Sequence, residues 1–222
     1  MHIEPGLVDG AKIGLSYATA AGASVYAAKL TWNTLLESGP VALIARAVVA
    51  TVAVFVFFEL LPHFAVGVSE VHFILGSSLF LILGAAPAAL GLALGLLLQG
   101  VLMAPTDLPQ YAMNVTTLLV PLFALQAVAN RIIAPKTAYV DLSYKQVLAL
   151  SVSFQAGTVA WVAFWAIYGQ GAGAESLASI AAFGAAYMTV VLIEPLLDLG
   201  LLAGAKAVRD NKLFTPRLHN AA

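Results

Sequence analysis

Long apolar segments make up most of this chain, and this pattern limits its fold more than any other feature. Hydrophobic residues account for 61% of the 222 residues and charged residues for only 9%. A soluble domain normally carries about 25% charged residues. Because so little polar surface cannot cover a folded chain in water, we predict an all-α integral membrane protein with a single transmembrane domain over residues 1–222.

Segments long enough to cross a bilayer recur along the chain, since a transmembrane helix needs about 20 mostly apolar residues. The predicted spans are residues 11–29, 40–62, 111–131, 145–169 and 176–204. The apolar segment 71–103 is too long for one straight span, and Gly84 and Pro87 lie in its middle. Proline disfavours helical backbone in the preceding residue and cannot donate a backbone hydrogen bond. We therefore predict a hairpin of two short helices over 71–103.

The basic residues indicate the orientation of these spans. Lys29 ends the first span, and more Lys and Arg residues lie in loop 131–145 and in the C-terminal tail. The loops without either residue type are 62–70, 104–110 and 170–175. Because cytoplasmic loops carry the excess of Lys and Arg, we predict about seven transmembrane helices, an external N-terminus and a cytoplasmic C-terminus.

The predicted external side is rich in carboxylates. Its acidic residues are Glu4, Asp9, Glu70, Asp107 and Glu175. An acidic mouth raises the local concentration of cations and speeds their capture. The plainer interpretation is that external loops simply contain few basic residues, and the sequence leaves both open.

Several residue types and motifs are absent from the sequence, and this limits the reactions and metal sites that the chain can support. The chain has no cysteine, so disulfides and thiolate metal ligands are excluded. It also lacks the G-x-x-x-x-G-K-[ST] loop that grips nucleotide phosphates, so an ATPase that drives transport would be a separate chain. The first residues lack the basic start of a signal peptide, and Asp9 and Lys12 interrupt the apolar run that follows. We therefore expect the mature protein to begin at Met1.

Met1 and His2 can together chelate a metal ion. The α-amine of Met1, the amide nitrogen of His2 and the imidazole Nδ1 of His2 can close one five-membered and one six-membered ring on the same ion. These nitrogens share a plane, which suits the square-planar preference of Ni²⁺ and Cu²⁺. A second histidine must complete the plane, and His72 opens the predicted hairpin. The plainer interpretations are that a Met-His start is accidental and that His72 is a polar anchor at the membrane surface.

At these residues the chain resembles the CbiM/NikM family, the substrate-capture membrane subunits of energy-coupling-factor (ECF) cobalt and nickel importers. That family begins with Met-His-Ile, followed closely by an acidic residue and Gly, and residues 1–6 here read Met-His-Ile-Glu-Pro-Gly. Later features of the family, in order, are a histidine that opens an apolar hairpin, a Leu-Leu-x-Gln segment, an Asn and an Ile-x-Glu-Gly-like turn. They are matched here by His72, Gln99, Asn114 and Ile193-Glu194.

The resemblance implies a seven-helix subunit of a bacterial inner membrane whose N-terminus closes the external opening. It implies that Met1, His2 and His72 hold one Ni²⁺ or Co²⁺ ion, which is the transported substrate, and that no organic cofactor is used. The candidates to support these ligands by hydrogen bonds are Asn114, Gln99 and Ser69. The implied partners are a coupling transmembrane subunit, ATPase subunits and the lipid bilayer, with no nucleic acid.

Two features depart from the family pattern. A Gly-rich loop normally precedes the Asn, whereas residues 105–111 read Pro-Thr-Asp-Leu-Pro-Gln-Tyr, and Pro195 rather than Gly follows Glu194. The choice between nickel and cobalt stays open on the sequence. Glu59 and Glu194 are expected to pair with Arg46, a tyrosine or the backbone.

Two other functions stay open on the sequence. One is a non-catalytic anchor for a larger membrane complex, in which the Met-His start has no role. The other is an intramembrane hydrolase that uses His63 or His72 with Glu59 or Glu70. No HExxH pair, GxSxG turn or Ser-Lys arrangement supports a hydrolase, so we expect no enzymatic activity in this chain.

Overall fold

The computed structural model describes residues 2–208 of the chain. Met1, the basic tail residues Arg209, Lys212 and Arg217, and His219 lie outside the described residues. The helices are α1 (Gly14–Glu59), α2 (Gly76–Leu83), α3 (Ala85–Leu102), α4 (Tyr111–Ile132), α5 (Tyr144–Gln170) and α6 (Ala174–Ala207). Two short strands, β1 (Phe64–Val66) and β2 (Ser69–Val71), separate α1 from α2. Short 3-10 turns cover Gly10–Ile13, Pro105–Gln110 and Tyr139–Asp141.

Within residues 2–208, five helical segments are long and apolar enough to cross a membrane. Large apolar side chains remain exposed on their outer faces, including Leu36, Val41 and Leu196. In water such exposure would cost about 25 cal/mol for each Å² of apolar surface, so lipid is the solvent of these faces. The prediction of a helical, multi-pass membrane protein is confirmed. The number of spans and their orientation stay predictions.

Helix α1 combines the first two predicted spans. Gly39, with φ 76° and ψ 167°, is non-helical inside it, and Pro40 follows. The prediction that Lys29 ends the first helix is wrong, because the helix continues past Lys29 as far as the bend at Gly39. A single charge ends an apolar run in the sequence, but it does not remove a backbone hydrogen bond. Only the glycine and the proline interrupt the helical backbone.

The segment 71–103 forms two short helices as predicted, although the first helix begins later than the segment does. Helices α2 and α3 meet at Gly84, whose φ of 98° is outside the range that other residues favour. Pro87 lies in the first turn of α3, where a missing backbone N–H costs nothing. Helix α2 has 8 residues and is too short to span a bilayer alone.

The loop between α1 and α2 contains a small antiparallel sheet. Strands β1 and β2 pair from Phe64 opposite Val71 to Val66 opposite Ser69. At their turn Gly67 has φ 62°, and a Cβ atom there would lie 2.2 Å from the backbone oxygen of Ser179 in α6. The hairpin therefore packs against α6 through a position that only glycine can occupy. Hydropathy does not predict strands of three residues, which are too short to show an alternating pattern.

The predicted orientation has a direct test. Reporter fusions at residues 66 and 107 should give an external signal, and fusions at residues 138 and 215 a cytoplasmic one. This result is expected because the loops around 66 and 107 lack Lys and Arg, whereas residues near 138 and 215 are flanked by basic ones. Paired alkaline phosphatase and cytoplasmic fluorescent reporters provide the measurement. A cytoplasmic signal at 66 or 107 would contradict the hairpin interpretation of 71–103.

Candidate metal site

The N-terminal segment lies inside the protein and is held by backbone hydrogen bonds. Ile3 pairs with Ser69 as an isolated antiparallel bridge, so the segment extends the small sheet beside β2. The Glu70 N–H donates to the His2 carbonyl at 2.9 Å, and the Glu4 N–H donates to the Val68 carbonyl at 3.2 Å. The side chains of His2 and Ile3 are buried, at 3% and 0% exposure. The segment around His2 and Ile3 is therefore an integral part of the fold.

Two of the three predicted supporting residues contact this segment. Asn114, at the start of α4, accepts a hydrogen bond from the Ile3 N–H through its Oδ1 atom at 2.9 Å. The Ser69 hydroxyl donates to the His2 carbonyl at 2.9 Å. Gln99 is buried in α3, but its Oε1 atom has no hydrogen-bond partner among residues 2–208. Asn114 and Ser69 thus both hold the peptide group that joins His2 to Ile3, whereas Gln99 does not.

The structure brings His2 and His72 together across 70 positions of sequence. Their ring centroids are 5.3 Å apart, and both side chains are buried. Glu70 lies beside them, with its Oε2 atom 2.8 Å from the Nε2 atom of His72. One ligand atom from each of His2, Glu70 and His72 can be chosen so that all three lie within 4.8 Å of one another. Two ligands on opposite sides of a metal with bonds of about 2.1 Å are about 4.2 Å apart, so a small contraction would close the group around an ion.

Asp107 contacts this site, although no sequence pattern identified it as a candidate ligand. Its Oδ2 atom lies 2.5 Å from the Nδ1 atom of His2. In the sequence Asp107 is only one of several carboxylates on the predicted external side. Because 105 positions separate it from His2, no local sequence pattern connects the two residues. Its one distinguishing feature in the sequence is its place in loop 105–111, which differs from the Gly-rich loop of the family pattern. The other ring nitrogen of His2, Nε2, and Nδ1 of His72 have no hydrogen-bond partner among the described residues.

His63 and Phe58 pack around His72. The His63 ring stacks on the His72 ring at a centroid distance of 4.9 Å and an angle of 12°. The buried Phe58 ring lies 5.2 Å from His72 on another side. The sequence places His63 near the external end of the second span but assigns it no metal. The structure makes it an aromatic neighbour of a candidate ligand, and its Nδ1 atom is 3.1 Å from the carbonyl of Leu61.

The surroundings favour the neutral form of both candidate imidazoles. Burial lowers the pKa of His2, while its hydrogen bond to Asp107 acts in the opposite direction. Burial also lowers the pKa of His72. Burial and the negative charges of Glu70 and Asp107 raise the pKa of Glu4, which reflects the acidity of the mouth. A neutral imidazole has the free lone pair that a metal ion needs, so the site is prepared for a cation at neutral pH.

Glu194 of α6 holds the backbone that follows His72. Its Oε1 atom accepts hydrogen bonds from the N–H groups of Ile74 and, at 3.0 Å, of Leu75. Leu75 has a left-handed backbone with φ 51°, which such a fixed partner can stabilise. Gln155 of α5 donates to the other carboxylate oxygen of Glu194. The expectation that Glu194 pairs with the backbone is confirmed, and α6 thereby supports the segment that carries His72.

These features define a multi-pass membrane protein with two buried histidines at a docked N-terminus. The family model described as the cobalt uptake substrate-specific transmembrane region, CbiM, matches residues 2–211. The chain therefore belongs to the CbiM family and is a membrane component of transition-metal uptake.

A solved structure supports the same fold. It is described as the crystal structure of a truncated transition metal transporter and superposes with a TM-score of 0.61, covering 94% of this chain and 97% of the other. At 14% identity this likeness shows the fold alone. The search for curated relatives finds no match.

Proposed function

We propose that this chain is the substrate-binding transmembrane subunit, or permease component, of an ECF-type importer for Ni²⁺ or Co²⁺ in a bacterial inner membrane. The observation that carries the proposal is the docking of the N-terminal segment, which buries His2 at a centroid distance of 5.3 Å from His72. A protein has little reason to bury its second residue beside another histidine and two carboxylates for anchoring alone. Membership of the CbiM family supports the same conclusion.

The ion is the transported substrate, and the proposed ligands are nitrogens. They are the Met1 α-amine, the amide nitrogen and Nδ1 of His2, and one ring nitrogen of His72. Met1 lies outside the described residues, so its role rests on the chelate chemistry of an amine next to a histidine. Asp107 contacts Nδ1 of His2 at 2.5 Å, and an ion bound at Nδ1 replaces this hydrogen bond. The His2 carbonyl keeps its hydrogen bonds with Ser69 and Glu70. These bonds hold the His2 imidazole close to the ion.

Transport requires partners because this chain has no nucleotide-binding loop. A coupling transmembrane subunit and ATPase subunits would supply the energy, and this chain would capture and release the ion without catalysing a reaction. No organic cofactor and no nucleic acid enter this proposal. The exposed apolar faces of the helices contact lipid and, on part of their area, the coupling subunit.

The proposal predicts metal binding with a defined pH dependence. Purified protein in detergent should bind one Ni²⁺ or Co²⁺ ion per chain, while Mg²⁺ and Ca²⁺ should not compete because they prefer oxygen ligands. An unperturbed α-amine has a pKa of about 7.7–8.0 and must lose its proton to bind. Burial lowers the pKa of both His2 and His72, which favours neutral rings near pH 7.

Affinity should therefore rise by at least about tenfold per pH unit from about pH 6 to 7.5, because binding displaces at least the amine proton. Calorimetric titrations in buffers of different ionisation enthalpy measure both the affinity and the number of protons released. An affinity that is flat over this range would rule out the α-amine as a ligand. Absence of stoichiometric binding at any pH would overturn the proposed function.

A further inference from the structure

The carboxylate of Asp107 is the one charged group that contacts a ring nitrogen of His2 in the described chain. Its Oδ2 atom lies 2.5 Å from Nδ1, and the Asp107 side chain is 16% exposed. The Asp107 carboxylate has no other hydrogen-bond or ion-pair partner among residues 2–208. The Lys12 ammonium donates to the Gly169 carbonyl at 2.7 Å. The negative charge is thus directed at the place where the proposed metal ion binds.

The turn that carries Asp107 is held in position. Pro105 and Pro109 restrict its backbone, and the Asp107 N–H donates to the Ala104 carbonyl at 3.0 Å. Directly after the turn, the Tyr111 hydroxyl donates to the Ala93 carbonyl of α3 at 2.8 Å. A carboxylate on such a turn is presented to the site at a fixed distance, so its contact with His2 does not depend on a long mobile side chain.

Coordination distances show what this contact becomes when an ion arrives at Nδ1. Imidazole nitrogen binds at about 2.0–2.1 Å and carboxylate oxygen at about 2.0–2.2 Å. Two ligands at right angles on one ion are then about 2.9 Å apart. The 2.5 Å separation of Asp107 Oδ2 and His2 Nδ1 is a few tenths of an ångström shorter than this. The oxygen must also move off the axis of the Nδ1 lone pair, where the ion binds, and a rotation of the short Asp107 side chain can place it beside the ion as a ligand.

We propose that Asp107 is a metal ligand that determines selectivity, adding an anionic oxygen to the nitrogens of the site and reducing the preference for Ni²⁺ over Co²⁺. This inference rests on the proposed function. A site of four coplanar nitrogens suits Ni²⁺ and Cu²⁺ best, because these ions prefer square-planar or tetragonal surroundings. An added oxygen ligand raises the coordination number, and the advantage of Ni²⁺ in a planar field is then lost. The source of the ligand is the short turn Pro105–Gln110.

The test compares the wild-type protein with Asp107→Asn. Asparagine keeps the shape and a hydrogen bond to His2, but its neutral amide is a much weaker ligand. The matched control is Asp9→Asn, which removes an exposed carboxylate from the same side of the protein. Competition titrations give the ratio of the Co²⁺ and Ni²⁺ dissociation constants. Optical and magnetic measurements on the Ni²⁺ forms distinguish a planar diamagnetic ion from a paramagnetic ion with more ligands.

We expect paramagnetic Ni²⁺ in the wild type and in Asp9→Asn, and planar diamagnetic Ni²⁺ in Asp107→Asn. Preference for Ni²⁺ over Co²⁺ should rise at least about tenfold in Asp107→Asn, and Asp107→Glu should stay closer to the wild type because it keeps the charge. Binding with the same spectrum and the same ratio in the wild type and Asp107→Asn would overturn this inference but not the proposed function. Failure of the wild type to bind either ion would overturn both.

Discussion

Acetylation of the Met1 α-amine, or retention of its formyl group, should abolish the binding of Ni²⁺ and Co²⁺. Either block leaves every side chain of the described fold in place but removes the amine lone pair that a metal ion needs. The five-membered ring of the amine and the His2 amide nitrogen then cannot form. With this chelate ring lost, we expect affinity to fall at least about 1,000-fold, which corresponds to about 4 kcal/mol.

Native mass spectrometry of the free and blocked forms, each titrated with Ni²⁺ and Co²⁺, is the decisive measurement. The matched control is the free protein carried through the same treatment without the acetylating reagent. Circular dichroism should show the same helix content in all forms. Helix content should be retained because Ile3, Leu7 and Val8 keep their buried positions. Equal metal occupancy in free and blocked protein would exclude the α-amine as a ligand, whereas an anchor protein would be indifferent to all of these changes.

Hydropathy predicts the later helices closely. The predicted spans 111–131 and 145–169 correspond to Tyr111–Ile132 and Tyr144–Gln170, because each is a single apolar run between polar loops. Near the N-terminus the same reasoning fails, since α1 continues past Lys29 to the bend at Gly39. Burial in lipid determines which residues are apolar, whereas backbone geometry at glycine and proline determines where a helix ends. The break at Gly84 is predictable for this second reason.

The candidate site was only partly predictable for a related reason. His2 can be selected from the sequence because a histidine at that position can chelate one ion together with the N-terminal amine. His72 and Asn114 enter through their order along the chain in a family resemblance, and the structure places both near the His2 segment. No sequence pattern identifies Asp107 or His63 as part of the site. Their contacts depend on how a 3-10 turn and a two-stranded sheet close over the N-terminus, and neither element has enough residues to show a periodic pattern.

Replacement of His72 should have the second largest effect on metal binding. The His72 ring is buried between Phe58 and His63, so His72→Ala removes both a ligand and packing. His72→Phe removes the nitrogens while it keeps an aromatic ring between the same neighbours. If His72 supplies a ligand, both variants should bind Ni²⁺ and Co²⁺ at least about 100-fold more weakly, or about 2.7 kcal/mol, because water replaces imidazole in the bound ion. His2→Ala should lose binding at least as completely, since it removes one chelate ring.

His63 provides the control for this experiment because it shares the surroundings of His72 without a proposed role as a ligand. His63→Phe keeps the stacked ring and His63→Ala removes it, and both should retain one metal ion per chain. His219→Ala, which lies outside the described residues, should also bind normally. Thermal unfolding in detergent separates the two effects of His72→Ala: a lower melting temperature in His72→Ala but not in His72→Phe reports lost packing. Binding lost in both then reports the missing nitrogen. Wild-type affinity in His72→Phe would show that the fourth nitrogen comes from another residue, and His63, stacked on His72 at 4.9 Å, would become the first candidate.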